Sequence, residues 1–524
     1  MQPLLTTWWS ARFGSVKRGV YVAPALPPNL ACRSQSVRQW GHYRAIDLCE
    51  ANRYFCMLTP FPGTPMINDE PSSDNSFSIQ KSNKIVDLPR IFGDAAEQCG
   101  LIGASGAFSY LASESQPLMH GSAGHCLHSP AMSPRHRFRI SCLSKPLIAA
   151  VALESLIHNG IPLNEPIRVR FRELFDKCRF IDQSVSYLNL LSYSAGFDET
   201  KNWQYFHGIR TLSELPSALR AIKQLYPPGS HYMYSSLSIV ILAYILERLH
   251  ARPWDVILYK RMLEPASVPR EAFNFGHQHA NLAGSKQNID FQSATTPPEY
   301  QLHIPLFQRI AAPLDLQVTP TELCHAGQDV LDIINRSQLQ RIVSECTDHR
   351  SWTADHQYID GASFGLFHYH NGCLGFWSNG NGQNSMLMID PQGRTVLGVS
   401  TTSFPETMFF DELSRKIFKR SFIKEACLPR FELAACVGAY AAEGLQIVVK
   451  KVGADFCADL CYIGATGRAT FLSGIIKYTG HGDYALIRPG ARTSLERLSF
   501  LGDDPNSDVP QFARYAITIC KRIR

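Results

Sequence analysis

The sequence predicts an α/β (α+β) fold in which an antiparallel sheet is flanked by helices and a small β-domain follows. Three observations carry that prediction. Leu147–His158 and Leu237–His250 are apolar runs of helical length, the first stopped by Asn159-Gly160. Phe364–Tyr369 and Cys373–Trp377 bracket His370-Asn371-Gly372, and Ser385–Ile389 and Thr395–Ser400 bracket Asp390-Pro391-Gln392-Gly393; both are hairpin signals. From Pro429 the pattern changes to short alternating runs such as Leu445–Val449 and Tyr484–Ile487, separated by Gly-containing turns. That reads as a small antiparallel barrel or sandwich. The organisation is a basic leader and linker over 1–77, a main domain over 78–428 and a C-terminal β-domain over 429–524.

A chain of 524 residues, 45% hydrophobic and 18% charged, is long enough for two or more domains with real cores. Its net charge of +6 is concentrated at the start: Arg12, Lys17, Arg18, Arg33, Arg38 and Arg44 precede the first acidic residue, Asp47. The remainder is balanced and shows no nucleic-acid footprint. The acid-free leader has the composition of a transit peptide or of a plain disordered extension, and it lacks the apolar core of a secretory signal. An intracellular protein is expected, cytoplasmic or organellar. No run reaches the ~18 apolar residues of a membrane span; the longest, Leu237–Leu246, reads as a buried helix.

Fifteen cysteines, an odd number without a Cys-x-x-Cys pair, suggest a reducing compartment and mostly buried thiols. Cys457 and Cys461 have no His or Cys partners nearby, so no metal and no cofactor are expected.

The chemistry gathers around Phe138-Arg139-Ile140-Ser141-Cys142-Leu143-Ser144-Lys145-Pro146. Positions i and i+3 on a first helical turn share a face, which brings the Cys142 sulfur toward the Lys145 amine. A helix N-terminus favours a thiolate and binds anions. A nucleophile beside an amine base is an activated arrangement for acyl transfer. Further along, Tyr187–Gly196 ends a short helix in a sharp turn, and Pro227-Pro228-Gly229-Ser230-His231-Tyr232-Met233-Tyr234-Ser235-Ser236 leads into the second apolar helix. Thr319-Pro320-Thr321-Glu322 has the pattern of a helix start, with Thr319 as N-cap and Glu322 at N3. Residues 266–305 read as a polar insertion, and Ser378–Asn384 as a Gly/Asn-rich loop.

This series of blocks resembles the penicillin-recognising serine hydrolases, in particular their class C β-lactamase-like branch with its D-aminopeptidases, esterases and transesterases. Phe138-Arg139-Ile140, Ser144-Lys145-Pro146 and Asn159-Gly160-Ile161-Pro162-Leu163 surround the position of the family's Ser-x-x-Lys segment. The nucleophilic serine falls on Cys142. Tyr193 stands where the family has a histidine, and Tyr234-Ser235-Ser236 stands for its Tyr-x-Asn. The third motif's cation falls on Phe376, Ser378 or Asn379, depending on loop length. The resemblance implies a β-lactamase/transpeptidase-like antiparallel sheet with an all-helical subdomain, and a small β-barrel appended at the C-terminus.

It also implies roles. Cys142, Lys145 and Tyr234 are the expected catalytic set, with Cys142 as nucleophile and the other two as acid/base pair. Ser236, Phe376, Trp377, Asn379 and Gly380 are the expected substrate-binding positions, with backbone N–H groups of Cys142 and of 379–380 forming an oxyanion hole. The aromatic pair in place of a cation points to a small, hydrophobic acyl substrate: an ester, thioester or amide. The competing expectation is a catalytically silent relative that uses the cleft to bind a ligand. The sequence assigns no oligomeric state.

Overall fold

The computed structural model describes residues 87–99, 103–110, 118–126, 131–197, 209–273, 310, 316–336, 359–380, 383–402, 406–423, 428–442, 444–464, 467–479, 483–487, 497–502, 504, 506–515 and 518–523. All of them lie in one compact unit, Ile46–Arg524. The expected leader over 1–77 and most of the polar insertion fall outside the described residues.

Seven antiparallel strands form the main sheet in the order β2-β1-β9-β8-β7-β6-β5. They are β1 (Gly103–Tyr110), β2 (Met119–Gly124), β5 (Ile359–Ser363), β6 (Leu366–Tyr369), β7 (Leu374–Gly380), β8 (Gln383–Asp390) and β9 (Thr395–Thr401). The earliest strand thus lies beside the latest, because β1 pairs with both β2 and β9. A separate two-stranded ribbon joins β3 (Phe138–Arg139) to β4 (Gln317–Val318).

Two layers of helices cover the sheet. Ala107 is opposite Gly398, so Gly106 and Gly398 face opposite sides of the sheet. A side chain at Gly106 would run into Phe92 of α1 (Leu88–Gln98), and one at Gly398 into the main chain at Pro320 and Cys324 of the helix Pro320–Arg336. On the first face, Phe92 meets Phe409 of the helix Glu406–Ile417 edge-on at 5.6 Å. On the second lie α2 (Ser144–His158), α3 (Ser236–His250) and α4 (Pro320–Arg336). Helix Glu406–Ile417 is α5.

Helices α2 and α3 are apolar nearly all round and are accordingly core helices. Leu237, Ile239, Ile241 and Leu242 of α3 are completely buried; each contributes about 1.5–3 kcal/mol of transfer free energy. Against the expectation that no run is long enough, the 18-residue stretch Ser141–His158 is long and apolar enough to cross a membrane by length and composition, because its few polar residues do not offset its apolar ones; 83% of it is buried in the fold. Local signals set the helix ends. Gly160 takes φ +63° after α2, and the Ser235 hydroxyl caps α3 by accepting from Ser238 N at 3.3 Å. At α4 the expected capping box forms: Glu322 N donates to Thr319 Oγ1 and Thr319 N to Glu322 Oε2.

The expected loop at 378–384 is instead strand at both of its ends. Strand β7 runs to Gly380 and β8 begins at Gln383, with Gly380 opposite Gln383. Asn381 and Gly382 lie outside the described residues.

The C-terminal region is a closed eight-stranded barrel. Its strands are β10 (Gly438–Ala441), β11 (Leu445–Val452), β12 (Asp455–Gly464), β13 (Gly467–Tyr478), β14 (Tyr484–Ile487), β15 (Arg497–Leu501), β16 (Phe512–Tyr515) and β17 (Thr518–Arg522). Each pairs with its neighbour, and β17 returns to β10. Alternate side chains such as Leu445, Ile447, Leu460, Leu486, Leu498 and Phe500 fill the interior.

Every described cysteine is a free thiol and most are buried. Among the described residues no group of three His, Cys, Asp or Glu side chains could hold a metal ion.

Candidate active site

Residues 131–140 cross the α2/α4 face of the main sheet and deliver the chain to a 3₁₀ turn, Ser141–Leu143, which runs directly into α2. Cys142 sits on that turn rather than within the α-helix, and Lys145 is the second residue of α2. Ser141, just before Cys142, is held at φ +43°. A non-glycine residue in that region costs about 1–3 kcal/mol and persists only where its surroundings enforce it. The surroundings are explicit: Ile140 N donates to Leu316 O at 3.1 Å, and Ile140 O accepts from Leu143 N at 2.9 Å. Upstream, Arg137 and Glu322 form a buried two-pronged ion pair at 2.8 and 2.5 Å, and Arg137 also donates to Gln317 O.

Cys142 is 9% exposed, and the Ser141 hydroxyl lies 3.9 Å from its sulfur. Lys145 is completely buried. Its Nζ has no hydrogen-bond partner among the described residues and lies 4.9 Å from the centre of the Tyr234 ring. A cation or amine over a tyrosine face is attracted by the ring quadrupole. The hairpin turn Phe364-Gly365 closes over the start of α2: a side chain at Gly365 would strike Ala149 and Pro146, and its N–H donates to Leu191 O.

Tyr234, Ser235 and Ser236 enter the site at the head of α3, all three buried. Tyr193, at φ +54°, packs 5.3 Å from Tyr234 and 6.3 Å from Tyr232. Burial pushes the Tyr232 hydroxyl up, against the opposing charge of Arg514. Arg514 belongs to the barrel. So does Phe512, which meets His231 edge-on at 4.9 Å, while His231 stacks on Tyr226 at 4.4 Å. The C-terminal region therefore packs against the segment that carries Tyr234.

Strand β7 supplies the remaining wall, and alternation decides what it contributes. Phe376 is completely buried and lies 6.2 Å from Tyr234 and 4.6 Å from Phe367, against which it stacks. Ser378 shares that face and donates to Ile140 O at 2.5 Å. Trp377 is on the opposite face, opposite Met386 and stacked on Tyr369 at 5.8 Å. The structure thus brings Lys145, Tyr234 and Phe376 together beside the Cys142 turn, places Ser236 at the head of α3, and leaves Trp377 out, because its strand phase points it away. Asn379 and Gly380 are placed only by register, opposite Asn384 and Gln383. Strand β6 pairs with β7 only as far as Gly375, so the outer edge of β7 beyond that point faces the Cys142 turn.

Sequence reasoning missed Ser378 as a contact to the Cys142 turn, Gln383, and the Arg137–Glu322 pair. Arg137 stands next to the Phe-Arg-Ile block, but its partner is 185 residues away, so no local pattern announces it.

A sequence model described as Beta-lactamase matches residues 103–421, more than half of the chain. No curated protein sequence is detectably similar. Among solved structures, SurE with D-Leu superposes with a TM-score of 0.60 at 15% identity, covering 83% of this chain and 98% of SurE. The D-amino acid amidase from Ochrobactrum anthropi SV3, complexed with L-phenylalanine amide, gives 0.46 at 18%, covering 63% and 96%. The octameric penicillin-binding protein homologue from Pyrococcus abyssi gives 0.45 at 14%, covering 82% and 98%. With the Cys-x-x-Lys turn, the tyrosine at the head of α3 and the antiparallel sheet all in the matched segment, the chain belongs to the Beta-lactamase family.

Proposed function

We propose that the protein is an acyl-transferring hydrolase or acyltransferase that forms an acyl-enzyme on Cys142. The observation that supports this most directly is the strained Ser141–Cys142 turn with a completely buried lysine amine, three residues on, that has no hydrogen-bond partner among the described residues. Backbone strain of this kind concentrates at working sites. In the proposed reaction the thiol proton passes to the Lys145 amine, and the thiolate sulfur bonds to the carbonyl carbon of an ester, thioester or amide. The carbonyl electron pair is held as an oxyanion by N–H groups of Cys142 and the outer edge of β7. As the carbonyl re-forms, the bond to the leaving group breaks, and that group takes a proton from Tyr234 or the Lys145 ammonium. Water or another acceptor then releases the acyl group by the reverse sequence.

Phe376 supports an uncharged, hydrophobic acyl group, because it presents a ring beside Tyr234 where a cation would hold a carboxylate. The same ring, with Cys142 only 9% exposed, favours the second reading, a closed and catalytically silent cleft.

Intact-protein mass spectrometry after exposure to a panel of p-nitrophenyl esters and acyl thioesters separates the two. A single acyl adduct mapping to Cys142, lost in Cys142→Ala, is expected. A folded protein with no adduct and no turnover across the panel favours the silent reading. Iodoacetamide supplies a parallel measure, since burial pushes the Cys99 and Cys178 thiols up to about 11 and Cys436 to about 12, leaving them protonated and slow at neutral pH.

A further inference from the structure

Five serines stand in one row across five strands of the main sheet. Ser122 is opposite Ser105, Ser105 opposite Ser400, Ser400 opposite Ser385, and Ser385 opposite Ser378. Directly paired residues share a face, and Gly106 faces α1, so the row faces α2 and α4. The hydroxyls bond in pairs, Ser122 with Ser105 at 3.0 Å and Ser385 with Ser400 at 2.8 Å. Ser378, at the end of the row, bonds out of the sheet.

The row underlies the segment that delivers Cys142. Ser105 Oγ donates to Ser133 O at 3.4 Å, near the start of that segment, and Ser378 Oγ donates to Ile140 O at 2.5 Å, at its end. Between them Gln383, on the same face of β8 as Ser385, accepts from Arg139 N at 2.8 Å. Ser378 is 4% exposed and Gln383 is completely buried. Small side chains let the segment approach the sheet closely, and their hydroxyls replace the ladder bonds that a true strand would make.

Ile140 O is the atom on which this converges. It accepts Leu143 N–H, the bond that closes the 3₁₀ turn around Cys142, and it accepts the Ser378 hydroxyl. The next residue is Ser141 at φ +43°. We infer that Ser378 and Gln383 are positioning residues: they fix the Arg139–Ile140 backbone, hold Ser141 in its strained conformation and so set where the Cys142 sulfur stands. The catalytic meaning of this hold rests on the reading of Cys142 as nucleophile. The hold itself does not.

The test uses the full chain with Ser378→Ala, Ser378→Thr, Gln383→Leu and Gln383→Glu. Three readouts are compared: amide hydrogen exchange over 139–143, the iodoacetamide rate at Cys142, and melting temperature. Ser378→Ala is expected to speed exchange at Leu143 by about tenfold and to change the Cys142 alkylation rate several-fold, while Ser378→Thr, which keeps the hydroxyl, restores both. Gln383→Glu, which keeps an acceptor, should keep wild-type exchange over 139–143 where Gln383→Leu does not, while its buried carboxylate lowers the melting temperature. If Ser378→Ala does not fold, the Gln383 pair carries the comparison. The inference is overturned if exchange and alkylation are unchanged in Ser378→Ala, or if threonine restores the melting temperature but neither of the others. Failure of the catalytic reading looks different: Cys142 takes no acyl group in the wild type, yet Ser378→Ala still loosens the turn. An acylating wild type whose kcat and KM survive Ser378→Ala removes the positioning role and leaves the nucleophile in place.

Discussion

The segment leading to Cys142 and the C-terminal barrel are built on opposite plans. In the barrel, each strand pairs with its sequence neighbour and only β17 returns to a distant one. Main-chain polar groups are paired by the ladder, and side chains need only fill the inside. The Arg137–Leu143 segment has just a two-residue ribbon of its own. It is held by Glu322, Gln383 and Ser378, which are 185, 244 and 238 residues from their partners. One plan tolerates the loss of any single polar contact. The other concentrates the geometry of a site in three of them.

That contrast breaks most sharply at Arg137. Arg137→Ala leaves the Glu322 carboxylate buried and unpaired, and a loss of about 3–5 kcal/mol in chemical denaturation is expected. Replacing both partners together, Arg137→Met with Glu322→Gln, which keeps an acceptor for Thr319 N, should recover much of the stability and thereby show that the single variant's cost is the stranded charge. In the barrel the comparable damage comes from packing. Leu460→Ala, which empties a completely buried interior position, should cost about 2–5 kcal/mol while leaving alkylation of Cys142 unaltered. At the small end, Lys450→Ala removes a surface ion pair to Asp459 across β11 and β12. Its melting temperature should match wild type within error, because exposed pairs are screened and entropically costly. A large effect there would mean that the barrel, too, depends on individual polar contacts.

The same contrast explains what was legible in the sequence. Helices α2 and α3, the α4 capping box and the alternating barrel strands are written in residues a few positions apart, and they were readable. The end of β7 and the start of β8 were not, because Ser378–Asn384 is a Gly/Asn-rich run that also suits a long loop. Of the site, Cys142, Lys145 and Tyr234 stood out through their motifs. Phe376 and Trp377 read as equals, since nothing local says which strand phase faces Cys142. The serine row was invisible for a stronger reason: its members become neighbours only through the register of five strands, fixed by hydrogen bonds that span the chain.

Phe512 and Leu501 are barrel residues by sequence, yet they belong to the hydrophobic core of the main domain, and Leu225 touches both cores. The end of the barrel pattern in the sequence and the boundary between the two cores therefore do not coincide in this chain. Melting should be a single cooperative event, with a shared free energy linking the end of β16 to the tyrosines beside Lys145. Any change that loosens the barrel near Phe512 is then expected to lower the population of molecules whose Tyr234 is in place.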